Sequence, residues 1–175
     1  MDEIVNVVYG LSFAGHETTT GLIGNAVRRL LEIPERWAQL RADPSLISNA
    51  VEEVLRHDTS VIAWRRITTR PVELGGVALP VDAKLLLMLA AANRDPERFP
   101  DPDTFDPHRR DARQHLSFGK GIHFCLGAAL TRLELGIMLE QLLDRAPELR
   151  LVDGQPLSFA PNVAFRGPQT LRVTS

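Results

Sequence analysis

Cysteine is nearly absent from this chain of 175 residues: it holds one, Cys125. A single thiol excludes an intrachain disulfide framework and suits a reducing compartment, the cytoplasm. An excess of charge of one sign is also missing. Lys and Arg number 20 against 22 Asp and Glu, a net charge of −2, so nothing points to nucleic acid or an anionic membrane as partner. Nor is there a long apolar run. The longest, Leu85 to Ala92, falls far short of the ~20 residues that cross a bilayer. Met1-Asp2-Glu3-Ile4 lacks the basic start of a secretory signal. Repeats and low-complexity tracts are absent. What is present is an apolar content of 44%, enough for one ordinary globular domain spanning 1–175.

Periodicity predicts a mainly α chain with a small antiparallel β region. Ile4, Val7, Val8 and Leu11, then Leu22, Ile23, Ala26, Val27 and Leu30, predict a long helix over 2–31. Its centre, Ala14 to Gly21, is poor in helix formers, which predicts a bulge or kink. Pro34 opens a short second helix through Leu40. Asp43-Pro44 opens a third, over 45–57. The β region covers 61–91, with Gly75-Gly76 as a two-residue hairpin turn and a buried strand from Lys84, running on or turning helical towards Ala91. Residues 93–117 carry four prolines and form an irregular connector. A loop over 118–127 leads into a helix over 126–144, apolar on most faces and so expected to be buried. The tail, 147–174, alternates as short antiparallel strands do.

The ten residues from Phe118 to Gly127 surround the one cysteine. Cys125 falls at a predicted helix N-terminus, where free N–H groups and the macrodipole favour a thiolate. Gly121 and Gly127 permit close approach of a ligand to the backbone, Phe118 supplies a flat apolar wall, and His123 offers an anchor for an acidic group. The plain alternative is a buried structural thiol. A nucleophile is another, with His123 as the one evident partner nearby. The glycine and aromatic setting tells against the structural thiol and leaves metal ligand and nucleophile open, the nucleophile ranking lower for want of a further partner.

Two further groupings carry chemistry. Glu53 and Arg56 stand i to i+3 on one helix face and can pair, which in most helices makes an exposed bridge worth roughly 0–1 kcal/mol. Glu17-Thr18 lies in the weak centre of the long helix. There the Thr18 hydroxyl either bonds back to the Ala14 carbonyl or, with Glu17, delivers protons at a widened turn.

Together these segments resemble the cytochrome P-450 haem-thiolate monooxygenases, the soluble bacterial type in particular. Ala14-Gly15-His16-Glu17-Thr18 is similar to the family's oxygen-activating helix. Glu53-Val54-Leu55-Arg56 resembles its Glu-x-x-Arg helix, and Phe105-Asp106-Pro107-His108-Arg109 its meander, whose arginine joins that pair. Phe118 to Gly127 fits Phe-x-x-Gly-x-His-x-Cys-x-Gly at every fixed position. The resemblance implies the C-terminal half of the P-450 fold, with Cys125 the axial thiolate of haem b and the amides of Leu126 and Gly127 tempering its basicity. It makes Glu17 and Thr18 the catalytic proton relay. Ala14, Gly15, Arg66, Phe118, Gly119, His123 and Gly127 become cofactor contacts, with Arg66 and His123 holding the propionates. Glu53, Arg56 and Arg109 become a structural network.

The implied reaction inserts one oxygen atom from dioxygen into a hydrophobic small molecule, with electrons from NAD(P)H by way of a ferredoxin or flavodoxin and its reductase. Val61, Ile62 and the Asn162-Val163 turn fall where the family lines its substrate pocket, and ordinary core is their other reading. Arg109, Arg110, Arg113 and Lys120 would lie around the face an acidic ferredoxin docks on. Three departures stand out. Val61 follows Ser60 where the family commonly has proline, and Leu171-Arg172-Val173 replaces Leu-Pro-Val. The chain also begins at the oxygen-activating helix, so the family's N-terminal half is expected on a separate chain, or lost by truncation or a misplaced start. The alternative to an enzyme is then a non-catalytic haem-binding fragment or interaction module.

Overall fold

The computed structural model describes residues 2–175. Helix α1 (Asp2–Leu31) opens with Asp2 and Glu3 and closes with Arg28 and Arg29, charges that complement the helix dipole at both ends. It runs unbroken through Ala14 to Gly21, so the expected bulge does not form. The threonines bond inside the helix instead. The hydroxyls of Thr18 and Thr20 donate to the carbonyls four residues back, Ala14 at 2.6 Å and His16 at 2.9 Å. Each hydroxyl is thereby satisfied without opening a turn.

Helix α2 (Pro34–Ala42) begins on its proline, and a 3-10 turn at Pro44–Leu46, capped by the Asp43 carboxylate, leads into α3 (Ile47–His57). From Ala50 to His57 every residue of α3 is buried, charged ones included. This helix is the axis of the fold. Strand β1 (Trp64–Ile67), the hairpin β2 (Val72–Leu74) and β3 (Val77–Leu79), and β4 (Lys84–Leu87) follow. β1 pairs antiparallel with β4, Trp64 opposite Leu87 and Ile67 opposite Lys84. Gly75 and Gly76 both have positive φ (57° and 78°), as a hairpin turn matched to strand twist requires. β4 was expected to be buried, yet Lys84, Leu86 and Leu87 are exposed, because a two-stranded ribbon has nothing packed on its outer face.

A short α4 (Leu89–Ala92) leads into the connector, then α5 (Ala128–Arg145), and a last pair, β5 (Arg150–Leu151) with β6 (Val173–Thr174). The core forms where α1, α2, α3 and α5 meet, around Leu30, Leu40, Val54, Leu135 and Leu139, all fully buried. Each such side chain contributes about 1.5–3 kcal/mol. α5 is buried on that side alone. Leu130, Leu133 and Ile137 are more than half or half exposed, against the expectation of an all-round buried helix. The outer half of α1 is also bare, every residue from Asp2 to Glu17 being exposed.

Candidate functional site

The loop ahead of α5 is shaped by two left-handed positions. Gly119 and Gly121 have φ of 68° and 80°, where a side chain would be strained. A Cβ on Gly127 would stand 3.9 Å from the Cys125 sulfur. The Cys125 amide donates to the Phe118 carbonyl at 2.9 Å, closing the loop on itself. Cys125 is exposed, which removes the buried structural thiol. Beside it in the loop stand apolar side chains left open to water: Ile122 at 97% exposure, Leu126 at 87% and Phe124 at 52%. Gly127 caps α5 with no side chain, and the amides of Leu126 and Gly127 donate to no protein acceptor among the described residues. Free donors therefore face the end of the helix where the sulfur lies.

Helix α3 holds this loop from behind. The Ser117 hydroxyl donates to the Leu55 carbonyl at 2.6 Å. Fully buried Asn93 donates to that same hydroxyl at 2.8 Å and accepts from the Leu116 amide at 2.7 Å. Buried Glu52 accepts from His115 (3.1 Å), Arg113 (3.0 Å) and Arg132 (2.7 and 3.1 Å). Burial pushes the Glu52 carboxyl up, but the bonds from His115, Arg132 and Arg113 outweigh it and hold it at about 2. Sequence reasoning missed Glu52, His115, Arg132 and Asn93. Their partners lie far along the chain, so no local spacing marks them.

Glu53 and Arg56 pair twice, at 2.7 and 2.8 Å, and neither is exposed at all. The expected solvated bridge is thus a buried one. Arg109 joins Glu53 at 3.3 Å, and both arginines donate onward to the carbonyls of the connector: Arg56 to Asn93, Pro102 and Thr104, Arg109 to Pro100, Asp101 and Thr104. Every polar end is used, as a buried ion pair needs if it is not to cost stability. Arg109 is therefore withdrawn from the docking face expected of it. Arg110 and Lys120 are exposed, and Arg113 is exposed while holding Glu52.

The remaining residues fall in separate places. Ala14, Gly15 and Glu17 lie on the exposed part of α1, and a Cβ on Gly15 would meet nothing within 4 Å. Arg66 is exposed on β1 and donates to the neighbouring Arg65 carbonyl; His123 is exposed at the end of a 3-10 turn. Val61 and Ile62 meet the Val163 segment: Val61 bridges Phe165, and the Ile62 amide donates to the Ala164 carbonyl at 2.8 Å. The tail reaches this corner by a close crossing, in which a Cβ on Gly167 would stand 2.7 Å from Gly21 Cα.

The thiol is thus exposed at a helix start, among exposed apolar side chains, with α3 bonded to the loop from behind. The family model for cytochrome P450 matches residues 1–146, and the chain belongs to that family. The cytochrome P450 monooxygenase PikC of Streptomyces venezuelae is 46% identical over 174 residues, covering 98% of this chain and 42% of PikC. The cyclomarin C epoxidase CymV of Salinispora arenicola is 45% identical over 172 residues, 98% of this chain and 43% of CymV. Among solved structures, cytochrome P450 CREJ in complex with (4-ethylphenyl) dihydrogen phosphate matches at 46% identity and a TM-score of 0.95, over 98% of this chain and 43% of that one. The chain thus spans less than half the length of the relatives it matches.

The family's cofactor is haem, and the residues present fit one. The exposed Cys125 sulfur at the start of α5 offers the single protein donor that haem-thiolate ligation uses. Ile122, Phe124 and Leu126 offer the apolar surface that a porphyrin covers. Among the described residues no helix is long and apolar enough to cross a membrane.

Proposed function

We propose that this chain is the thiolate-bearing portion of a haem monooxygenase that inserts one oxygen atom from dioxygen into a hydrophobic organic substrate. Electrons come from NAD(P)H through a ferredoxin or flavodoxin and its reductase. Cys125 is the iron ligand, and its exposure at the N-terminus of α5 amid exposed apolar side chains is the observation that carries the reading. Bound haem b supplies the reductive activation of dioxygen. The chain's own residues do the rest.

The free amides of Leu126 and Gly127 are the donors available to the Cys125 sulfur when it ligates the iron. Arg66 keeps guanidinium donors beyond its one bond to Arg65, enough for a carboxylate, and His123 stands beside it in role. Thr18 spends its proton on Ala14, which leaves its oxygen lone pair to accept from a water, and exposed Glu17 is next in the chain to resupply that water. Val61, Ile62 and Val163 form the corner against which an apolar substrate rests. Exposed Arg110, Arg113 and Lys120 offer cationic partners for an acidic electron donor.

The test is a ferrous–CO difference spectrum of the purified, haem-loaded chain and of Cys125→Ser. A thiolate-type Soret band in the wild type alone is the expected result. A wild type without that band overturns the assignment. Haem binding without substrate turnover, even with an electron donor present, would favour the non-catalytic fragment.

A further inference from the structure

Glu52 sits beside the buried Glu53–Arg56 pair but turns its carboxylate the other way, onto the cysteine loop. Its side chain is 3% exposed and accepts four hydrogen bonds from three cationic or ionisable groups. Two of those groups grip one aromatic ring. The Arg132 guanidinium lies 4.6 Å from the centroid of Phe118, and the His115 ring lies 5.6 Å from it. Phe124 closes a third side at 6.2 Å. Phe118 is the residue whose carbonyl takes the Cys125 amide.

A continuous set of contacts therefore runs from α3 to the sulfur-bearing residue. We propose that Glu52 is a positioning residue: through Arg132 and His115 it clamps the Phe118 ring, and through the Phe118 carbonyl it fixes the backbone of Cys125 and so the presentation of its sulfur. The inference rests on the haem-thiolate reading only for the sulfur's role; the clamp itself is a property of the loop.

The geometry explains why these residue types are used. Arg132 is divided between two bonds to Glu52 and the face of Phe118, so the carboxylate orients the plane that the ring stacks on. Neutralising Glu52 frees that guanidinium to swing towards solvent, which its 27% side-chain exposure permits. His115 is fixed at both nitrogens, Nε2 at Glu52 and Nδ1 accepting from the Ser117 amide at 3.1 Å. It therefore transmits the same carboxylate to the backbone one residue before Phe118.

The experiment compares Glu52→Gln, Arg132→Leu and Arg132→Lys with the wild type on the full chain, in two arms. The first is amide hydrogen–deuterium exchange without haem, reading Cys125 against Val54 in the interior of α3 as the internal reference. Arg132→Leu changes a partly exposed side chain and keeps the protein readable if Glu52→Gln unfolds. The expected result is a rise of about tenfold or more in Cys125 exchange in Glu52→Gln and Arg132→Leu, a smaller rise in Arg132→Lys, and Val54 unchanged. Equal rises at Cys125 and Val54, or none at Cys125, overturn the proposal. The second arm is the ferrous–CO spectrum with haem, where the same variants should lose part of the thiolate-type band in the same order. A wild type lacking that band defeats the haem-thiolate reading, while the exchange arm still decides the clamp.

Discussion

At the scale of single residues, α3 places two neighbouring glutamates in opposite duties. Glu53 faces the connector and neutralises Arg56 and Arg109; Glu52 faces the cysteine loop. Spacing in the sequence revealed the Glu53–Arg56 pair because i to i+3 is a local signal. It did not reveal the burial, which depends on the connector folding over α3 some fifty residues later, nor Glu52, whose bonds reach 61, 63 and 80 residues along the chain. Burial decides the energetics. Glu53→Ala leaves Arg56 charged, unexposed and short of two bonds, and should cost about 3–5 kcal/mol. A urea midpoint that moves by less than the equivalent of about 1 kcal/mol, the scale of an exposed bridge, would contradict this. Crowding gives a second case at Gly167. Its Cβ as alanine would lie 2.7 Å from Gly21 Cα, backbone against backbone, so Gly167→Ala should destabilise by about 1–3 kcal/mol in the same assay.

At the scale of elements, the cysteine loop was the most legible part of the chain, since its glycines and its cysteine act within ten residues of each other. The long helices were legible in extent but not in environment. The apolar stripe of α5 covers more of its circumference than the four-helix core can bury, so Leu130, Leu133 and Ile137 remain in water. α1 divides in the same way: Leu22, Ala26 and Leu30 are buried, whereas Ile4, Val5, Val8 and Tyr9 are 58–74% exposed. A helix without packing on its apolar face has little beyond its own hydrogen bonds to hold it. Amides from Asp2 to Glu17 should therefore exchange faster than those from Leu22 to Leu31 by at least about two orders of magnitude. Uniform protection along α1 would show that the exposed half is covered in solution. Exposed apolar surface on each helix is of the kind that drives association. Leu133→Glu together with Val8→Glu should lower the binding of an apolar dye and the concentration-dependent light scattering of the isolated chain, without shifting its urea midpoint.

At the scale of the whole molecule, the buried ionisable groups make stability a function of pH over a defined window. His57 is buried, donates through Nε2 to the Asp103 carbonyl at 2.9 Å and accepts through Nδ1 from Arg94 at 3.0 Å, so its place is built for the neutral ring. Burial pushes it down from 6.5 to about 4, with Arg94 acting in the same direction and the Asp103 carbonyl against it. An unfolded chain takes up that proton below pH 6.5 and the folded one refuses it until about pH 4. The stability present above 6.5 is accordingly lost as the pH falls through this interval. Glu52 has the same sign at lower pH: its carboxyl is held at about 2 against an ordinary 4.5, so its contribution is complete above 4.5 and drains as the pH drops towards 2. The two intervals meet near pH 4, and the folded chain should weaken continuously from about pH 6.5 downward rather than at a single acid step. Urea midpoints measured across that range test it, because each group can be removed from the titration separately. His57→Gln should flatten the upper part of the slope and leave the lower part, while Glu52→Gln should flatten the lower part alone. A wild-type midpoint that stays constant between pH 6.5 and 4.5 would show that the His57 ring is charged in the folded protein, and with it that the Arg94 contact is not made.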